Sequence, residues 1–390
     1  MKETIPEPAI TSQILAAIED LSIQDWQCLD DSGHPLLGRA YLTALETSGV
    51  ASAATGWRPC HLVIRDPAGA PLVLLPLYRK NHSYGEYIFD WSWAEACERA
   101  GIAYYPKLVS SIPFTPVTGD KLLWRTGLDA GSRNRVLEKL RVEISALTDT
   151  SFHWLFIPGQ TAGSLADNDW LHRHSLMFRW HNPGYRRFDD FLDELRKKPR
   201  KNIRSERRRL REQGFRFERL QGDEISAGDI RDFTRFYRDT YLRRSGHGGY
   251  LNEAFFQQLR CDMPARMLLV KAIRDGHCQG MALCFVGRET LYGRYWGGLP
   301  VSGLHFETCY YQGMEYCIEQ GLNVFEPGVQ GEYKVSRGFR AERVHSLHHL
   351  ARTDLRDAIG RYISEEKALI SANLDEYNRR LPFRETGKPE

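Results

Sequence analysis

The chain has little of what marks a secreted, membrane or nucleic-acid-binding protein. Its eight cysteines, at positions 28, 60, 97, 261, 278, 284, 309 and 317, include no Cys-x-x-Cys pair. They stand mostly among apolar residues, which excludes a disulfide framework and fits reduced thiols. No charge of one sign dominates: 53 basic residues face 50 acidic ones, a formal net charge of +3. No global field therefore draws the chain to DNA or to an anionic membrane. Long hydrophobic runs are missing as well. The longest, such as 72–77 (LVLLPL), suit a strand and not a membrane span, and the opening MKETIPEPAI lacks the apolar core of a signal peptide. A soluble cytoplasmic protein with no membrane span is expected. Walker, GxGxxG and GxSxG patterns are absent too, so no nucleotide fold or serine nucleophile announces itself.

What is present is a globular composition. With 390 residues, 42% of them hydrophobic and 12% aromatic, the chain is long enough for two cores. Periodicity places a short helix within 10–30. A second helix begins near Pro35, stops at Gly49 and buries Leu37, Tyr41, Ala44 and Leu45. Two β-rich runs then flank Asp66-Pro67-Ala68-Gly69, a hairpin signature. Helices around 92–100 and 130–147 and a strand at 151–158 complete the first half. The second half repeats the order: strand, Asn-Pro-Gly turn, long basic helix, strand, a helix over 229–243, and a hairpin. In that hairpin Ile273-Arg274-Asp275 echoes Ile64-Arg65-Asp66. Two related mixed α/β domains, 1–180 and 181–390, are the predicted organisation.

The densest chemistry lies between Leu291 and Ala341. This stretch reads as a strand, a turn bearing Gly297, Gly298 and Gly303, a helix burying Phe306, Tyr310, Met314 and Ile318 and stopped by Gly321, a strand, and the polar loop GVQGEYKVSRGF. A strand feeding a helix N-terminus gathers free backbone N–H groups, which suit a phosphate or an oxyanion. Lys334 fits an oxyanion or phosphate donor, Arg337 an anion clamp and Glu326 a base, with Glu307, Glu332 and His305 as alternatives for the base. Arg294, Trp296, Glu332 and Tyr333 are substrate-binding candidates beside them. A second aromatic and polar stretch, 81–96 with 103–119, contributes His82, Tyr84, Glu86 and Lys107 to the same list. Ten of the sixteen residues in 196–211 are lysine or arginine. Such like charges repel, which points to an anionic partner for Arg200, Lys201, Arg204 and Arg207. His345, His348 and His349 have no carboxylate or cysteine at ligand spacing, so no metal site is expected.

Several segments in one order, NHSYGEYIFDWSWAEACERAGIAYYPKL, PFTPVTG, LHFETCYYQGMEYCIEQGL and FEPGVQGEYKVSRGF, resemble the FemAB-like family of bacterial N-acyltransferases of peptidoglycan biosynthesis or recognition. The resemblance runs from about His34 to beyond Phe339. It implies two tandem GNAT-like acyl-CoA N-acyltransferase domains, which fits the repeated halves. Acetyltransferases of that superfamily hold CoA with an Arg/Gln-x-x-Gly-x-Gly/Ala turn, from which GGLPVSGLHFE departs. Fem peptidyltransferases use aminoacyl-tRNA and carry a lysine loop with a following Gly-Phe, like Tyr333-Lys334 through Gly338-Phe339. The implied activity is transfer of an acyl or aminoacyl group, from acyl-CoA or aminoacyl-tRNA as co-substrate, to an amine-bearing small molecule or peptide such as a cell-wall precursor. No tightly bound cofactor is expected. A binding protein that keeps the fold to recognise a cell-wall precursor or RNA is the alternative.

Overall fold

Apolar runs bounded by Gly, Pro and Asp account for most of the strands. The computed structural model describes residues 10–30, 33–167, 169–329 and 331–384. The chain divides into two units, Met1–Ser175 with Val344–Lys367, and Leu176–Arg343 with Ala368–Glu390. The strand Trp170–His181 carries the chain out of the first unit and Arg340–Leu350 carries it back. A boundary at 180/181 thus lies at the end of an exit strand, and the return of 344–367 has no counterpart in the sequence reading. The segment read for a targeting signal lies, apart from Ile10, outside the described residues. No helix among the described residues is long and apolar enough to cross a membrane.

In the first unit the hairpin signature becomes the antiparallel pair His61–Arg65 and Pro71–Leu75. The pair belongs to a five-stranded sheet closed by Thr11–Leu15 on one side and by Leu123–Arg125 and Leu29–Asp30 on the other. Thr11–Leu15 corrects the first part of the helix expected over 10–30. Ile10, Ile14 and Ile18 have helical spacing, but pairing with His61–Arg65 satisfies the backbone of 11–15, and the chain becomes helical only afterwards, in a 3-10 turn at Ile18–Asp20 and the helix Ile23–Gln27. A second set of strands runs Trp57–Pro59, Tyr78–Lys80, Lys107–Ser110, Ser151–Ile157 and then Arg340–Leu350, with Lys107–Ser110 and Ser151–Ile157 parallel. Helix Ala130–Leu147 puts Val136, Leu140 and Ile144 into a core shared with Leu62, Val73 and Trp154.

In the second unit the order is Arg216–Gln221, Met267–Arg274, His277–Val286, Thr290–Gly298, Val324–Glu326 and the end of Trp170–His181. Thr290–Gly298 and Val324–Glu326 pair in parallel there, and the helical run from Leu304 to Gln320 is their crossover. Its apolar face meets Phe178, Phe191, Leu268 and Phe325. Helix Ala227–Ser245 lies so close to Thr290–Gly298 that a Cβ at Gly297 would sit 2.2 Å from the backbone carbon of Phe236 and the nitrogen of Tyr237. Backbone cannot yield as a side chain can. Gly297→Ala is therefore expected to destabilise the second unit by about 3 kcal/mol, read as a lower midpoint in denaturant. The 27-residue helix Thr353–Arg379 gave no sequence signal because it buries only Ile359 and Ile363 and is polar around most of its circumference.

Candidate active site

The parallel pair in the second unit does not stay paired. Thr290–Gly298 and Val324–Glu326 are in register at Thr290↔Val324, Leu291↔Phe325 and Tyr292↔Glu326. After Glu326 the chain turns off through Pro327, which has no N–H to continue the ladder, while the other strand runs on to Gly298. The wedge between them holds a pocket of about 70 Å³ lined by Arg294, Trp296 and Pro327 and, from the crossover helix, His305, Cys309 and Tyr310. On the far side of the same strand the pairing passes from Leu283↔Tyr295 to Cys284↔Gly293, so Arg294 is the extra residue of a bulge. Bulges re-aim a side chain. Here the guanidinium is turned to the Glu326 carboxylate (2.5 Å) and to the carbonyls of Gly293 and Glu326 (both 2.9 Å).

The crossover helix is wound to suit its sequence. Apolar residues repeating every fourth position drift by about 40° per turn on an ordinary helix of 3.6 residues per turn. Glu307–Tyr311 is a π-helical segment, whose wider turn absorbs part of that drift. Tyr310, Met314 and Ile318 are buried and Phe306 packs against the same core, as the spacing predicts. The segment also presents His305, Cys309 and Tyr310 to the wedge. Burial, reinforced by Arg244, Lys334 and Arg337, lowers the His305 imidazole to about 4, so it is neutral at pH 7. Burial pushes the Cys309 thiol well above its usual range and that of Cys284 to about 12. Neither sulfur is a thiolate nucleophile.

Lys334, in the turn Glu332–Arg337, is 1% exposed. Its Nζ donates to the Gly328 carbonyl at 2.7 Å and the Pro327 carbonyl at 3.4 Å, and lies 5.8 Å from the centre of the Tyr310 ring. Burial first, then Arg294, lowers it from 10.5 to about 7. Glu326 reaches the same neighbourhood as the acceptor of two guanidiniums rather than as an open carboxylate: it accepts from Nε and Nη2 of Arg179 at 2.9 and 2.7 Å as well as from Arg294. Arg337 is likewise not an open anion clamp. Its Nε donates to Tyr311 Oη at 2.9 Å and its Nη2 to Glu206 at 2.8 Å, and its plane lies 3.6 Å over Phe306. It ties the basic helix Lys197–Glu212 to the crossover helix. Tyr333 is exposed, with its hydroxyl 3.1 Å from that of Tyr310, and Glu332 accepts from Tyr377 at 2.6 Å. Among the alternative bases, Glu307 is buried against Arg207.

Of the substrate-binding candidates, Arg294 and Trp296 line the pocket and Tyr333 touches its Tyr310. His82, Tyr84, Glu86 and Lys107 belong to the first unit. Lys107 and Glu86 are sealed there: Lys107 Nζ meets Ser83 Oγ at 2.8 Å, Glu86 at 2.9 Å and Asp90 at 2.5 Å, all at 2% exposure or less. Burial pushes Glu86 up to about 7, whereas Glu86 and Asp90 together outweigh burial and raise Lys107. This cluster fixes the 80–90 loop on the strand Lys107–Ser110. His82 is half-buried on the Thr55 carbonyl at 3.1 Å, and Tyr84 is exposed.

The basic run forms the expected helix, Lys197–Glu212, and several of its charges are answered by carboxylates of the same unit. Arg200 pairs with Asp193 at 3.2 Å and Arg204 with Asp189 at 3.4 Å, while Lys201 is exposed. Arg207 departs from its expected phosphate role, because Glu307 at 2.9 Å and Glu315 at 2.7 Å hold it on the crossover helix. Arg207→Ala leaves a buried carboxylate without its cation and is expected to cost about 3 kcal/mol. Arg204→Ala, at an exposed pair, should stay within about 0.5 kcal/mol. Paired denaturant titrations check both.

Sequence reasoning missed Arg179, Cys309 and Tyr310 at the site, since nothing local links strand Trp170–His181 to residue 326. It also sought partners for His345 among its sequence neighbours. The fold separates that trio: His348 meets His153 at 2.7 Å, His349 meets the Asp169 carbonyl, and His345 meets His172 at 2.9 Å.

No curated protein matches the chain. Among solved structures it is similar to FemX, at 11% identity over 82% of this chain and 94% of that one, with a TM-score of 0.51. A conserved protein of unknown function from Bacteroides thetaiotaomicron is similar at 11% identity over 88% of this chain and 100% of that one, with a TM-score of 0.52. A tandem GNAT protein from the clavulanic acid biosynthesis pathway matches at 12% identity over 88% and 99% of the two chains, with a TM-score of 0.40. The fold class is the expected mixed α/β, in two units. The FemAB-like model, described as peptidoglycan biosynthesis/recognition, matches residues 17–385, nearly the whole chain, and the protein belongs to that family.

Proposed function

We propose that this chain transfers an acyl or aminoacyl group from an activated ester or thioester, carried by tRNA or CoA, to an amine on a cell-wall precursor or peptide. The observation that carries the reading is the wedge: a pocket opened by two parting strands, with the bulged Arg294 in its wall and a near-neutral Lys334 behind Pro327. Past Tyr292 the strand Thr290–Gly298 has parted from Val324–Glu326, which leaves room beside it for an extended polar donor. The acceptor nitrogen attacks the carbonyl carbon and forms the C–N bond, and the carbonyl electron pair moves to oxygen. The nitrogen's proton passes to neutral Lys334, whose new ammonium gives up the Gly328 carbonyl and, with Arg294, stabilises the oxyanion. Collapse breaks the C–O or C–S bond and Lys334 returns the proton to the leaving atom. Raised thiols at Cys284 and Cys309 favour direct transfer over an acyl-cysteine intermediate.

Purified protein incubated with a panel of acyl-CoAs and charged tRNAs plus a cell extract should yield an acylated amine, detected by mass spectrometry. No transfer from any donor by the wild-type protein, together with ligand affinity that survives Lys334→Met, would instead establish a recognition protein.

A further inference from the structure

The first unit contains a group of side chains that acyl transfer does not use. His172 and His174 are two residues apart on Trp170–His181 and so share a face of the strand. His345 comes from Arg340–Leu350, and one ring nitrogen from each of the three lies within 4.8 Å of the others. Ring centres are separated by 4.7 to 5.2 Å, and His172 Nε2 is 2.9 Å from His345 Nδ1. Two ligands on a tetrahedral Zn²⁺, each 2.0–2.1 Å from the metal, stand about 3.3 Å apart. To admit an ion the His172–His345 pair would open by a few tenths of an ångström and the His174 ring, whose nitrogen lies within 4.8 Å of both, would close on it.

Two features aim His345 at this point. The pairing of its strand with Ser151–Ile157 slips between His345 and Leu347, a bulge of the kind that redirects a side chain. Residue 159 is a glycine, and a Cβ there would sit 2.8 Å from His345 Nε2, so the imidazole occupies space that only glycine leaves open.

We propose that His172, His174 and His345 form a binding site for a divalent transition metal, with Zn²⁺ as the fitting ion. Three imidazoles and no carboxylate select Zn²⁺, Cu²⁺ or Ni²⁺ over the oxygen-seeking Mg²⁺ and Ca²⁺. Three protein ligands leave a fourth position for water or an incoming ligand. All three residues are half-buried, so the site is reachable by an ion yet held on two strands. A bound ion would fasten the start of Trp170–His181 to the returning strand and stabilise the first unit.

The test is titration of the untagged, chelator-treated full chain with Zn²⁺ by calorimetry, followed by Co²⁺ absorption spectroscopy. One ion per chain, a rise in Tm on adding Zn²⁺, no displacement by excess Mg²⁺, and visible Co²⁺ bands of a tetrahedral nitrogen-ligated site are expected. His174→Asn should weaken Zn²⁺ binding by about 100-fold or more, since even losing a supporting partner costs 10–100-fold. Gly159→Ala, which keeps all three ligands but crowds His345, should weaken it about tenfold or more. Circular dichroism establishes that each variant is folded. Binding unchanged in both folded variants would overturn the proposal. A wild-type Co²⁺ spectrum without tetrahedral bands would do the same and needs no variant.

Discussion

Lys334→Met is expected to lower kcat/KM for acyl transfer by about 10²–10⁴-fold, the range for loss of a positioned proton acceptor or an oxyanion donor. Lys334→Arg should be nearly as inactive. Arginine carries positive charge but cannot accept a proton, so retention of most activity in Lys334→Arg would leave the lysine as a fixed cation and sink its role as proton acceptor. In the wild type, kcat/KM should rise with pH through about 7, where the buried lysine loses its proton. Stability carries a second signature. The folded-state value is depressed from 10.5 to about 7, so between those limits the unfolded chain holds a proton that the folded chain does not. Stability attributable to Lys334 therefore rises with pH across that window, and the penalty is fully present below pH 7. Lys334→Met removes the titrating group and should flatten the slope, measured as denaturant midpoints from pH 6 to 10. Because the wild-type lysine is disfavoured at its buried position, the variant should be no less stable at pH 7.

Glu326→Ala should have the larger effect on folding, a loss of about 3–5 kcal/mol. The carboxylate is 2% exposed and balances Arg294, whose side chain is 1% exposed, as well as Arg179. Its removal leaves the Arg294 guanidinium buried with only two carbonyl partners. For a unit of this size the loss corresponds to a fall in Tm of about 6–20 °C, measurable by calorimetry. A Tm within 2 °C of wild type would mean that water or another carboxylate reaches Arg294. Such a result would also reopen Glu326 as a group with lone pairs to spare for catalysis.

Much of the architecture was legible because it is local. The hairpin at Asp66–Gly69, the helices Trp91–Arg99 and Ala130–Leu147, and the crossover helix stopped at Gly321 all follow from periodicity and turn residues. Where local signals conflict with pairing, they lose. Thr11–Leu15 has helical spacing nearby yet is a strand, because its hydrogen bonds go to His61–Arg65. The functional assignments divide in the same way. Lys334 could be singled out from its loop, whereas the partners that occupy Arg337 and Arg207, namely Glu206, Tyr311, Glu307 and Glu315, lie up to 131 positions away.

By itself, then, the sequence determined the class of fold, the family and the stretch in which the chemistry concentrates, since those rest on residue type and spacing along the chain. Tertiary structure alone decided which charges are spent and which are poised. It placed Arg207 and Arg337 in internal ion pairs, pressed Lys334 down to about 7 by burial and by Arg294, and brought His345 to His172 and His174. The physical reason is that Coulomb energy, desolvation and metal geometry depend on separations of a few ångströms in space, and distance along the chain does not encode them.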